Sequence, residues 1–373
     1  MKKIFLTLTV ACFGYLNLFA QKHIQVKNNT DKNRTEIIAI PFSKFSKHFA
    51  VDTVFTVKDK TSGADIVHQL EKLGNGGVQN ILIQVSVAAN SELDLIVTKD
   101  KSPKYASRAY ARYVPERFDD FAWENDLVAF RVYGKALEGR NDDAQGMDFW
   151  SKRTSDLIID KWYKIDDYHR DHGEGMDYYS VGQTLGAGYL AMFFGEHIQY
   201  TKHYRKHQVL DNGPLRTTFR LTYDTQDFEG NTITLDKIIS LDAGKQFSKI
   251  VVNLHNTDAK KTPVVVGLAK RGESNVEYEF DQSDKTLAYW EPEIGKNGRT
   301  GTALILPASR IEFFPNNPTQ FLIKTVVKND NPFVYYAGAA WNRAGKITSA
   351  DDWEDYVEQY AKSLKKPLKV KLR

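Results

Sequence analysis

Residues Thr217–Leu254 read TTFRLTYDTQDFEGNTITLDKIISLDAGKQFSKIVVNL. Phe219, Leu221 and Tyr223 fall on alternate positions, as do Ile250, Val252 and Leu254, and the run Thr232–Leu241 lies between them. Glu229-Gly230-Asn231 and, just upstream, Asn212-Gly213-Pro214 carry turn residues. Period-two alternation bounded by such clusters is the pattern of half-buried antiparallel strands.

The same pattern continues outward. Pro263–Ala269, Thr302–Pro307, Phe321–Val327 and Phe333–Trp341 extend a meander toward the C-terminus, and Ile24–Val26, Thr35–Ile40 and Ile81–Val87 begin it. In Leu127–Tyr133, Val128, Phe130 and Val132 share one face, which suits a core, while Leu127, Ala129, Arg131 and Tyr133 share the other, which suits a cleft. A single helix is expected near the end. Ser349 is an N-cap with Asp352 three residues on, Trp353, Tyr356, Val357, Tyr360, Ala361 and Leu364 form a buried stripe, and Pro367 stops it. The expected architecture is mainly β. It is one continuous domain over residues 21–373, with N-terminal strands to residue 98 and the main body from residue 99.

Residues 1–20 combine Lys2 and Lys3 with an apolar run ending at Ala20, which reads as a secretory signal peptide and predicts export to the periplasm. The only cysteine, Cys12, lies inside that leader, so the mature chain has no thiol for disulfides or nucleophilic catalysis. Losing the leader removes two lysines and lowers the formal charge from +4 to +2. That balance argues against a nucleic-acid partner. No later stretch is long and apolar enough to span a membrane.

The densest chemistry lies in Tyr168–Gly188, YHRDHGEGMDYYSVGQTLGAG. Five glycines beside His169, His172, Glu174, Asp177 and Tyr179 indicate a backbone bent to present polar groups. Gly182–Gly188 lacks the strand, fingerprint and downstream acid of a dinucleotide site. No cofactor or metal is assigned, although His169 and His172, three apart, leave open a site completed by Asp171, Glu174 or Asp177.

Several segments occur together: Pro115-Glu116-Arg117, Asp119–Asp126, Ala129–Gly134, Asp148-Phe149-Trp150, Lys161-Trp162-Tyr163, Asp171–Asp177 and Leu210–Arg216. Jointly they resemble a family of secreted Bacteroidota proteins, of formerly unknown function, encoded among polysaccharide-degradation genes. The resemblance implies a galactose-mutarotase-like β-supersandwich. One marine flavobacterial branch of that family includes an oligosaccharide dehydratase of ulvan breakdown, which implies removal of water from a non-reducing-end uronic acid to give a 4,5-unsaturated sugar. The implied partner is therefore an acidic, uronate-containing and sulfated oligosaccharide.

Taking a proton from the carbon beside a carboxylate requires a cation or donors to stabilise the enolate-like charge, a base at C5 and an acid for the departing hydroxyl. Arg131 is the expected carboxylate clamp, with Lys152 and Arg153 as second choices, or else it pairs with Glu124 or Asp126. His172 is the expected base and Tyr179 or Tyr133 the acid. Glu174 and Asp177 are expected either to orient His172 or to hold the turn. Trp150 or Trp162, with Tyr163, Glu124 and His169, are the expected sugar contacts. A lyase expelling an alkoxide, an epimerase and a non-catalytic sugar binder are the alternatives.

Overall fold

The computed structural model of the protein describes residues 21–165, 167–308 and 310–373; the leader expected over 1–20, with Cys12, lies outside the described residues. The strands Arg216–Thr222, Asn231–Asp242 and Phe247–Asn256 pair antiparallel in sequence order. Phe219, Leu221, Ile250, Val252 and Leu254 are all buried. These strands lie in a nine-stranded sheet that continues through Phe333–Trp341, Thr300–Ile305, Thr286–Trp290 and Glu277–Asp281.

Two five-stranded sheets face it. The first is ordered Gly175–Met176, Met147–Lys152, Ala129–Val132, Asp120–Asn125 and Ala109–Val114; the second is built on Ala187–Phe194, Lys261–Ala269 and Gln320–Lys328. A bridge between Met147 and Gly186 joins them. Trp123, Phe130 and Phe149 from the first, Leu190, Val264 and Val266 from the second, and Phe219 and Ile250 from the nine-stranded sheet share one core. The protein is thus a mainly antiparallel β-sandwich, as its alternation predicts.

The N-terminal strands form two smaller sheets around a core of their own, including Phe45, Phe55, Ile81 and Leu95. The last strand, Lys369–Leu372, returns to pair with the first, His23–Lys27, and so ties the C-terminus to this N-terminal unit. The helix Ala350–Lys365 begins as expected. Ser349 and Asp352 form a full capping box, and Trp353, Val357 and Ala361 pack on Phe247, Trp290, Ala303 and Ile305. No helix among the described residues is long and apolar enough to cross a membrane.

One face differs from expectation. The strand Ala129–Val132 is buried at all four positions, not only on its core side. Phe130 and Val132 enter the main core, whereas Ala129 lies under a lid made by Ile158, Ile159, Trp162 and Tyr168 with Trp150. The short helix Ile159–Ile165 carries part of that lid. Strand parity predicts which side chains share a face, but it is blind to what a later segment lays over that face.

Candidate functional site

Arg131 points from this strand beneath the lid. Its Nε donates to Asp148 at 2.8 Å, Nη2 to Asp177 at 2.9 Å and Nη1 to Asp120 at 3.4 Å. All four side chains are buried. One guanidinium cannot neutralise three carboxylates in a medium that solvates charge poorly, so protons must remain in the cluster. Burial, against the opposing pull of Arg131, pushes the Asp120 carboxyl up to about 7. Burial and the neighbouring Asp148 likewise hold Asp177 well above the carboxylate range.

The direction of this effect on stability follows. Asp120 keeps its proton in the fold up to about pH 7, whereas the unfolded chain releases it near pH 4. The native state therefore binds more protons between those values, and stability falls as pH rises through that window. Asp120→Asn keeps the shape without the charge. Urea melts at pH 5 and pH 8 are expected to show the variant gaining on wild type at the higher pH, by an amount on the order of 2–4 kcal/mol. A pH-independent difference between the two proteins would refute the buried proton.

Tyr133 and Tyr163 line the cluster. Tyr133 donates to Asp148 at 3.1 Å and Tyr163 to Asp120 at 3.3 Å. Burial raises both phenols well above their ordinary range, so they remain protonated donors at neutral pH. Arg131 also lies over the Tyr133 ring, 5.2 Å from its centroid.

One imidazole connects this floor to solvent. His169 Nδ1 lies 2.9 Å from the backbone carbonyl of Asp177 and 3.5 Å from its carboxylate, while the side chain is 57% exposed. A proton on Nδ1 facing those oxygens leaves Nε2 as the open acceptor. Asp177, fixed on Arg131, thus orients a base that reaches solvent.

A tight turn supports the site from the other side. Phe118 and Asp119 have φ of 51° and 62°, two successive non-glycine residues in the left-handed region just before Asp120. Such residues cost of order 1–3 kcal/mol each and persist only where the surroundings hold them. Tyr113 and Tyr204 donate to Asp119, and Gly134 lies so close that a β-carbon there would sit 1.9 Å from the Asp119 carbonyl oxygen. The turn also carries Arg117, whose guanidinium stacks 5.5 Å from the Phe118 ring centroid and, after burial and Arg131, opposes part of the upward shift of Asp120 and Asp177. Arg117 has no ion-pair partner among the described residues.

Several sequence expectations require correction. Arg131 is not an open clamp, nor does it pair with Glu124 or Asp126, because three aspartates occupy it in a dry site. Lys152 is equally unavailable. Its ammonium donates to Glu124 and to the carbonyls of Asn125 and Asp156, while Glu124 also accepts the amides of Ile158 and Ile159, so this pair fastens the lid. Trp150 and Trp162 stack on each other at 5.6 Å inside the lid and are 1% and 4% exposed, which excludes them as sugar platforms. Tyr179 packs edge-on against Phe149 beneath Arg271, and its buried hydroxyl makes no hydrogen bond to Arg131 or its three aspartates.

His172 occupies an exposed turn and contacts Asp167 at 3.1 Å rather than any member of the Arg131 cluster. Asp177 therefore orients His169, not His172. Glu174 pairs with Lys161, and Arg153 with Asp171 and the Gly173 carbonyl. The turn itself is held by Asp171, which accepts the amides of Gly173 and Gly175. Gly175 is required there: its φ is 123° and a β-carbon would lie 2.0 Å from the Ser151 carbonyl oxygen. Among the described residues no group of three or more His, Cys, Asp or Glu side chains is arranged to hold a metal ion.

Comparison with known proteins places this arrangement in context. Residues 26–370 match a family model described as a domain of unknown function, DUF4861. A relative from Formosa agariphila, a bacterium of the Bacteroidota, carries the name uncharacterized protein P7 and is 32% identical over 374 residues, spanning 94% of this chain and 93% of its own. A solved structure from Enterococcus faecalis, titled as a protein in glycosyl hydrolase family 38, superimposes with a TM-score of 0.52 at 9% identity over 94% of this chain. The chain spans 47% of that structure, about half its length, and the likeness is one of fold.

Proposed function

The chain belongs to the DUF4861 family, and on that premise we propose that it is a periplasmic carbohydrate-active hydro-lyase acting on acidic oligosaccharides such as those of ulvan. In this reading it removes water across C4 and C5 of a non-reducing-end uronic acid. The observation that carries the reading is the solvent-facing His169 imidazole, held through Nδ1 by an aspartate that is itself fixed on a buried guanidinium.

The proposed chemistry balances within the chain's own groups. His169 Nε2 takes the C5 proton, and the electron pair left at C5 forms the C4–C5 double bond as the C4–O bond breaks. The Tyr133 hydroxyl gives its proton to the departing oxygen, which leaves as water. Arg117 replaces Arg131 as the clamp, since its planar fork has no carboxylate of its own among the described residues and can meet the substrate carboxylate bidentately. Asp177 lies behind His169 and Asp148 behind Tyr133.

Incubation with defined oligosaccharides ending in a uronate with a free C4 hydroxyl tests the proposal by ultraviolet absorbance and mass spectrometry. Loss of one water with a new conjugated double bond is the expected result. Chain cleavage with the same chromophore would make the protein a lyase, an unchanged mass with altered optical rotation an epimerase, and binding without turnover on any uronate substrate a sugar-binding protein.

A further inference from the structure

One cavity shares no lining residue with the His169 site. It is a crevice of about 690 Å³ between the segment Asn29–Glu36 and the C-terminal helix Ala350–Lys365, with Lys245 entering from the turn between Asn231–Asp242 and Phe247–Asn256. That helix packs on Thr286–Trp290 and Thr300–Ile305 of the nine-stranded sheet, whereas His169 and Arg131 belong to the opposite layer. Its volume falls in the range of small-molecule sites.

Lys245 is the informative residue. Burial lowers its pKa, and its ammonium donates only to the Thr35 carbonyl, at 2.8 Å, leaving two N–H groups to spare. The two nearby carboxylates already have guanidinium partners: Glu36 is paired with Arg34 and Asp242 with Arg216, each at 2.5 Å. Lys32 and Lys366, on the rim, have no ion-pair partner among the described residues. A half-desolvated ammonium without its own anion is costly unless an anion arrives from outside.

The wall beside it is aromatic. The Lys245 ammonium lies 5.9 Å from the Tyr360 ring centroid, and Tyr360 is braced against Phe247 at 4.7 Å and Tyr356 at 6.3 Å. A ring face next to a spare cation, in a crevice whose lining carries six Lys and Arg side chains against four Asp and Glu, matches a pyranose that carries an anionic group. We infer that this crevice is a second saccharide site that holds an acidic sugar residue, carboxylated or sulfated, without transforming it.

Calorimetric titration tests this with a glucuronate-ended disaccharide, its carboxyl-reduced counterpart and a sulfated neutral disaccharide. All proteins carry His169→Ala so that turnover does not disturb the heats. Two binding steps are expected, and Lys245→Gln should weaken one of them by about tenfold or more, the loss of one charge-assisted hydrogen bond. Whichever of the carboxylated and sulfated sugars retains the step identifies the anion. Hydrogen exchange on Lys245-intact protein reads the site independently of that variant's folding: protection of Asn29–Glu36 on binding supports the inference. A single binding step unchanged by Lys245→Gln, or no protection of Asn29–Glu36 with any of the three sugars, overturns it, and either result leaves the proposal for His169 standing.

Discussion

Arg131→Leu is expected to cost the fold about 3–5 kcal/mol, the range found when one partner of a buried ion cluster is removed. The reason is the residue it abandons as much as the bonds it breaks. Asp120, Asp148 and Asp177 converge on one guanidinium that is itself 5% exposed, and leucine would leave their carboxyls facing one another in a dry pocket. The loss should therefore depend on pH. Near pH 4 Asp120 and Asp177 hold their protons and the penalty shrinks, whereas near pH 8 ionisation has lost the one cation that touches them and the penalty is full. Urea midpoints at the two pH values measure it, with circular dichroism to confirm that the strands are retained. A loss under about 1 kcal/mol at both values, the scale of an exposed pair, would mean that water reaches the cluster and that Arg131 is not its main counter-charge.

The same residue shows where sequence reading stops. Alternation over Thr217–Leu254 was enough to place three strands and their buried faces, because side-chain direction in a strand follows from local backbone geometry. The capping box at Ser349 was legible for the same reason, since it needs only residues three apart. Arg131 was correctly placed on a face shared with Tyr133, yet its role changed, because the lid over that face comes from residues 158–168. The lid is fastened by Glu124 accepting two backbone amides and the Lys152 ammonium, contacts no local pattern encodes.

The candidate site was legible as a region and not as an assignment. Tyr168–Gly188 does carry the exposed imidazole, but the choice between His169 and His172 depends on how the turn closes. Asp171 sets that closure by capping the amides of Gly173 and Gly175, which directs His172 toward Asp167 and leaves His169 beside Asp177. Arg117 was missed although Pro115-Glu116-Arg117 was part of the resemblance. Its place beside the cluster rests on Phe118 and Asp119 both adopting positive φ, a conformation aspartate tolerates but phenylalanine does not announce.

His169→Ala should reduce turnover on a uronate oligosaccharide by roughly 100- to 10,000-fold, the usual worth of a positioned acid or base, while leaving the thermal midpoint nearly unchanged because the side chain is more than half exposed. His172→Ala serves as the matched control. It lies three residues away, is similarly exposed and touches only Asp167 among the acids, so its turnover should stay close to wild type. Asp177→Asn separates orientation from chemistry. It keeps the backbone carbonyl that receives Nδ1 and alters only the carboxyl group between His169 and Arg131, so kcat should fall by less than in His169→Ala, with KM little changed. Equal losses for His169→Ala and His172→Ala would point to a general disturbance of the turn, and a loss confined to His172→Ala would move the base to the other imidazole. Only a selective loss at His169, graded through Asp177, fits a proton path that begins at the open Nε2 and is steadied by a buried charge it never touches.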